Sequence, residues 1–123
     1  MRILITGSRD WTDRDAIEAA IVKAARDAGA TPQGTVIVHG KARGADTIAA
    51  DIGRRYGCLI EGHRADWDRY GKAAGHLRNG DMVASGADIC LAFPLGESRG
   101  TRDCIDQARA AGIPVVVHEG GQR

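Results

Sequence analysis

Five short runs of aliphatic and β-branched residues, each of the first four followed by a helical pattern, constrain this chain more than any other feature. The runs are Arg2–Thr6 (RILIT), Thr35–His39 (TVIVH), Cys58–Glu61 (CLIE), Asp88–Phe93 (DICLAF) and Pro114–His118 (PVVVH). Four are close to continuously apolar instead of alternating, as in strands covered by helices on both faces. Between the runs, small and apolar residues return at helical spacing. One stripe is Ile17, Ala20, Ile21, Ala24 and Ala28, with Thr12 and Asp15 placed as a capping box. A second is Ala45, Ile48, Ala49, Ile52 and Tyr56, and a third is Thr101, Cys104, Ile105, Ala108 and Ala111, ended by Gly112 and Pro114. The segment 69–85 is less regular. Tyr70, Ala73, Ala74 and Leu77 share a face, Met82 and Val83 leave it, and Gly75 and Gly80 weaken it, so a bent or split helix is expected.

Strands and helices in strict alternation demand a parallel sheet with right-handed crossovers. The simplest solution is an α/β fold, a Rossmann-like three-layer α/β/α domain with a five-stranded parallel sheet. A reversal after the third strand gives the order 3-2-1-4-5 and opens a crevice between the carboxyl ends of strands one and four. The length of 123 residues suits a single domain, expected over 1–118, with 119–123 a disordered tail.

Composition excludes several classes of function. Hydrophobic residues make up 43% of the chain but aromatics only 4%, so Val, Ile, Leu and Ala must fill the core. A formal charge of +1, with no basic stripe interleaved with aromatics, argues against nucleic acid as a partner. No 18-residue apolar run and no cleavage site is present, so neither a membrane span nor a signal peptide is expected. Cys58, Cys90 and Cys104 form no metal-ligand spacing and read as reduced thiols of a cytoplasmic protein. His39, His63, His76 and His118 lie far apart. No metal and no cofactor is expected.

Three strands run directly into glycine loops that precede helices: Gly7-Ser8-Arg9, HGKARGAD from His39 to Asp46, and PLGESRGT from Pro94 to Thr101. Helix starts offer unpaired N–H groups and partial positive charge, which suit phosphate or carboxylate. Gly7, Ser8, Arg9, Gly40, Gly44, Gly96, Gly100 and Thr101 are the expected anion cradle, with Lys41 and Arg43 adding charge. Neither the G-x-G-x-x-G fingerprint nor the P-loop occurs, so a nucleotide here is held differently from NAD in a dehydrogenase. Asp46 reads as a cap of the second helix. Trp11 and Trp67 read equally as base-stacking platforms or as packing residues.

The blocks ILITGSRDW, VHGKARGADTIAA, HLRNGDMVASGADICLAFPLGESRGT and ARAAGIPV together resemble the SLOG superfamily, in particular its YspA/YpsA-related branch from bacteria and phages. The resemblance runs from about Arg2 to Val117 and implies the same Rossmann-like fold. The superfamily includes the Lonely Guy phosphoribohydrolases and the single-strand-binding DprA proteins, and its members commonly pair, so a homo-oligomer is implied. Arg78-Asn79-Gly80-Asp81-Met82 is similar to the hydrolases' R-K-x-x-M element. Arg78 therefore falls on their catalytic arginine, and Asn79 replaces the lysine. Their phosphate loop P-G-G-x-G-T-x-x-E is lengthened here by two residues, and Cys104 stands at the glutamate. N-glycoside cleavage needs an acid or base beside the leaving group and a counter-charge for the cationic sugar. A thiol on an apolar helix stripe supplies neither, although Glu97 and Asp103 lie nearby in sequence. The expected function is binding of a nucleotide or nucleotide-derived phosphate ligand, as a sensor or sequestering domain, with Arg78 and Asn79 at phosphate or ribose. The alternative is a phosphoribohydrolase-like enzyme cleaving a nucleotide's N-glycosidic bond.

Overall fold

A computed structural model describes residues 1–120. Five parallel strands, β1 (Arg2–Gly7), β2 (Val36–His39), β3 (Leu59–Gly62), β4 (Ile89–Phe93) and β5 (Val115–Val117), form one sheet in the order β3-β2-β1-β4-β5. This is the expected order. β1 is the central strand, with Ile3 opposite Ile37 on β2 and Ile89 on β4. Its side chains alternate between two apolar layers, which is why the run is continuously apolar. Ile3 and Ile5 enter a cluster with Ile17 and Ile21 of α1 (Arg14–Asp27) and Ala49 and Ile52 of α2 (Ala45–Tyr56). Leu4 faces the opposite layer, with Met82 of α4 (Ala74–Ala84) and Cys104 and Ala108 of α5 (Arg99–Ala110). Each fully buried aliphatic side chain contributes about 1.5–3 kcal/mol. The result is a three-layer domain of the Rossmann-like class.

Local chemistry sets the helix boundaries. Asp13, not the Thr12–Asp15 pair, caps α1, its carboxylate accepting the Ala16 N–H at 3.1 Å. Trp11 explains the offset. Its ring is buried edge-on against Phe93, with centroids 5.3 Å apart, and its Nε1–H donates to the Asp13 carbonyl at 2.8 Å, which fixes the entry to the helix. The irregular segment is split as expected, into α3 (Trp67–Tyr70), a 3₁₀ turn (Gly71–Ala73) and α4. Asp66 caps α3 by accepting the Arg69 N–H at 3.1 Å, and Gly71 at φ 55° breaks the register. Tyr70 and Leu77 stay exposed, whereas Met82, off the expected stripe, is buried.

Of the expected tail 119–123, Glu119 pairs with Arg102 at 3.2 Å, and the Gly120 N–H reaches the Pro94 carbonyl at 3.3 Å. Gly121–Arg123 lie outside the described residues. Among the described residues no helix is long and apolar enough to cross a membrane, and no group of three or more His, Cys, Asp or Glu could hold a metal ion.

Candidate functional site

The carboxyl ends of β1, β2 and β4 are tied together before any ligand is considered. The Ser8 N–H donates to the Phe93 carbonyl at 3.0 Å, joining the first loop to the end of β4. The Ser8 carbonyl accepts the Ala45 N–H at 3.1 Å, joining the same loop to the start of α2. This approach requires Gly44, at φ 75°, because a Cβ there would collide with the carbonyls of Ser8 and Arg9.

Two adjoining cavities open above these ends, sharing Arg9, Ala42, Trp67 and Arg78 as common walls. The inner one, about 270 Å³, is bordered by Gly7, Ser8, Arg9, Arg78, Asn79, Gly100 and Thr101 among the expected site residues. The outer one, about 610 Å³, adds Gly40 and Lys41. Arg43, Gly44 and Gly96 border neither. Arg43 is exposed, 3.7 Å from Asp10, Gly44 serves the backbone contact described above, and Gly96 lies in an exposed turn whose carbonyl accepts from Arg102 at 3.0 Å. Sequence reasoning did not assign Thr6, Met82, Ser98 and Arg64, which also line the crevice.

Arg78 is held from two sides. Its Nη1 donates to the Gly40 carbonyl and its Nε to Asn79 Oδ1 at 3.0 Å. Asn79 is buried and its amide is fully engaged, since Nδ2 donates to the Gly100 carbonyl at 3.2 Å and to Asp103 at 3.0 Å. Asn79 thus orients Arg78 and links α4 to the start of α5. Arg9 lies over the Trp67 ring, 5.7 Å from its centroid. Neither Arg9 nor Arg78 pairs with a carboxylate among the described residues, so both guanidinium groups keep donors for the crevice.

Asp46 departs from its expected role. Instead of capping α2 it turns back to the second glycine loop, where Oδ2 accepts the Gly40 N–H at 2.8 Å and the Ala42 N–H at 3.4 Å. Its other oxygen, Oδ1, is buried without a partner among the described residues, and the residue borders the inner cavity. Burial raises its pKa to about 6, against the opposing pull of the two amides and of Arg78 and Arg9.

Cys104, at the hydrolases' glutamate position, is wholly buried beside Cys90 in the apolar layer. Glu97 is exposed and pairs with Arg99 at 3.4 Å, and Asp103 is taken up by Asn79, His76 and Gln107. None of the three borders the crevice.

Fold and crevice together define a Rossmann-like domain with an arginine-walled cleft at its topological switch point. Residues 1–70 match the model of the YspA, cpYpsA-related SLOG family, and the chain belongs to that family. The Gene 61 protein of Mycobacterium phage D29 is 52% identical over 122 positions, covering 94% of each chain. Two solved structures share the fold. DNA processing protein A (DprA) from Streptococcus pneumoniae superposes with a TM-score of 0.75 at 18% identity over 98% of this chain. This chain spans 51% of the DprA chain, about half its length. The structural-genomics protein TM1055 superposes with a TM-score of 0.64 at 16% identity, covering 93% of this chain and 71% of the other.

Proposed function

We propose that the crevice binds a nucleotide or nucleotide-derived phosphate ligand and that the protein acts as a sensor or sequestering module. The observation that carries this reading is the convergence of two guanidinium groups without carboxylate partners among the described residues, Arg9 and Arg78, on one cleft bordered by the first glycine loop and by the start of α5. Such a cleft favours a phosphate through charge-assisted hydrogen bonds. The ring of Trp67, 48% exposed on the cleft wall, offers a face for a base.

One observation favours a second reading, hydrolysis of the nucleotide's N-glycosidic bond. Asp46 borders the cleft with a pKa of about 6, in the range that suits acid–base work near neutral pH. Calorimetric titration with a panel of nucleoside monophosphates, followed by chromatography of the mixtures, separates the two. Binding with a Kd below about 1 mM and no turnover supports the module. Released base, lost in Asp46→Asn, supports the enzyme, and no binding by any member overturns both.

A further inference from the structure

Behind the crevice, on the far side of Lys41, lies another cavity of about 560 Å³ between α2 and the ends of β2 and β3. Thr47, Ala50 and Arg54 present one face of α2 to it, and His39 and Lys41 close it from the strand side. Among the described residues no carboxylate lines it. Of the acidic groups on the neighbouring elements, Glu61 is engaged by Arg2 and His63, Asp51 by Arg14 and Arg55, and Asp46 faces the other cavity and accepts the Gly40 and Ala42 N–H groups. Neither Lys41 nor Arg54 forms an ion pair among the described residues.

His39 gives this cavity its direction. The residue is only 6% exposed, and its Nδ1 accepts the Lys41 N–H at 3.0 Å. In the neutral ring the proton therefore sits on Nε2, a donor that meets no acceptor among the described residues. Burial, then the nearby charges of Arg54 and Lys41, depress the ring's pKa to about 4, so the imidazole stays neutral at ordinary pH and keeps this tautomer. An imidazole N–H that opens on the cavity without an acceptor among the described residues, beside an unpaired guanidinium and an unpaired ammonium, is complementary to an anion.

We infer that the cavity lined by His39, Lys41 and Arg54 is a second phosphate-binding subsite, separate from the cleft walled by Arg9 and Arg78. The His39 Nε2–H donates to a phosphate oxygen, and Arg54 and Lys41 supply the counter-charge. Lys41 borders both cavities, so the phosphate is either a free ion or a second phosphate group of a ligand seated in the cleft.

The test is NMR titration of the His39 ring signals with inorganic phosphate at constant ionic strength, in the native chain, in Arg54→Ala and in Arg78→Ala. Arg54 is exposed on a helix, so its removal leaves the core intact. The expected result is a saturable shift of the His39 signals, weakened about tenfold or more in Arg54→Ala and retained in Arg78→Ala. Unmoved His39 signals, a non-saturating drift, or a response lost in Arg78→Ala but kept in Arg54→Ala would overturn the assignment. A second arm compares adenosine 5′-monophosphate with adenosine 3′,5′-bisphosphate. Selective loss of bisphosphate affinity in Arg54→Ala assigns the anion to a second phosphate of the cleft ligand. Equal affinities beside a saturable response to inorganic phosphate assign it to a free ion. Arg78→Ala also frees the Gly40 carbonyl beside His39, so the arms are compared by the saturation of the His39 response and not by its starting position. Failure of the cleft to bind nucleotide reads out separately with adenosine 5′-monophosphate.

Discussion

Arg78 Nη1 donates to the Gly40 carbonyl across 38 residues of sequence, tying α4 to the loop that leaves β2. Gly40 permits this because it lacks a side chain: a Cβ there would stand 2.6 Å from Nη1 and 2.7 Å from Cζ. Gly40→Ala is therefore expected to turn the guanidinium out of the cleft. It should weaken nucleoside monophosphate binding about as much as Arg78→Ala does, by tenfold or more. Stability should change by about 1 kcal/mol, the scale of one lost hydrogen bond. Calorimetry and urea unfolding on both variants check this. Unchanged affinity in Gly40→Ala would show that the seat of Arg78 is irrelevant to binding.

Asn79 tests whether orientation matters separately from charge. Its amide accepts from Arg78 and donates to Gly100 and Asp103, so Asn79→Asp replaces two donated hydrogen bonds with a buried anion facing a carbonyl and a carboxylate. The expected cost is about 3 kcal/mol or more at neutral pH, partly recovered in Asn79→Asp/Asp103→Asn. Denaturant midpoints of the two single variants and the double variant give the coupling directly. Additive effects would mean that the two side chains do not share a network.

Two buried groups oppose each other in their dependence on pH. His39 has its pKa lowered from 6.5 to about 4 by folding, so between those values the unfolded chain binds more protons and stability rises with pH. Asp46 has its pKa raised from 3.8 to about 6, so over nearly the same interval the folded chain binds more protons and stability falls with pH. The two slopes offset one another in the native chain. Asp46→Asn leaves the histidine unopposed, and that variant is expected to lose about 2 kcal/mol more than the native chain does between about pH 7 and about pH 4.5. Urea unfolding across this range measures it. Parallel profiles for the native chain and the variant would mean that the Asp46 shift is absent, and a variant that loses nothing on acidification would mean that the His39 shift is absent.

The fold was legible because a parallel sheet covered on both faces writes itself as continuous apolar runs, and RILIT, TVIVH and DICLAF each lie within two residues of a strand's ends. The cleft was legible to the extent that glycine loops mark strand ends. What could not be read were directions of side chains. Asp46 stands where an acidic residue ordinarily caps a helix, and nothing local says that it turns back to Gly40 and Ala42. Trp11 and Trp67 have similar sequence surroundings. One packs against Phe93 in the core and the other stays half exposed on the cleft wall. The capping residue of α1 moved by one position because Trp11 fixes the chain's path through the Asp13 carbonyl.

Cys104 is where the family resemblance and the packing disagree most sharply. Restoring the hydrolases' glutamate with Cys104→Glu would place a carboxylate in a layer made by Leu4, Val38, Met82, Cys90 and Ala108. The expected outcome is a loss of about 4 kcal/mol or more at neutral pH, or failure to fold, with no gain of base release from nucleotides. Cys104→Ala should cost far less, about 1 kcal/mol, because it removes one small apolar group. A folded Cys104→Glu protein that liberates base would show that the helix can present this position to the cleft.

Trp67 separates recognition of a base from recognition of phosphate. Its ring forms part of both cavity walls, is 48% exposed, and has Arg9 over it at 5.7 Å. A stacked base would gain about 1–3 kcal/mol from such a ring, whereas inorganic phosphate would gain nothing from it directly. Trp67→Ala is therefore expected to lower nucleoside monophosphate affinity by roughly five- to a hundredfold while leaving phosphate affinity within about twofold. Because the ring is half exposed, its loss should disturb stability little. If both affinities fall together, Trp67 acts by holding Arg9 in place instead of by stacking, and Trp67→Phe, which keeps a face under the guanidinium, should restore both. If neither falls, the base does not reach this wall, and the cleft reads its ligand through phosphate alone.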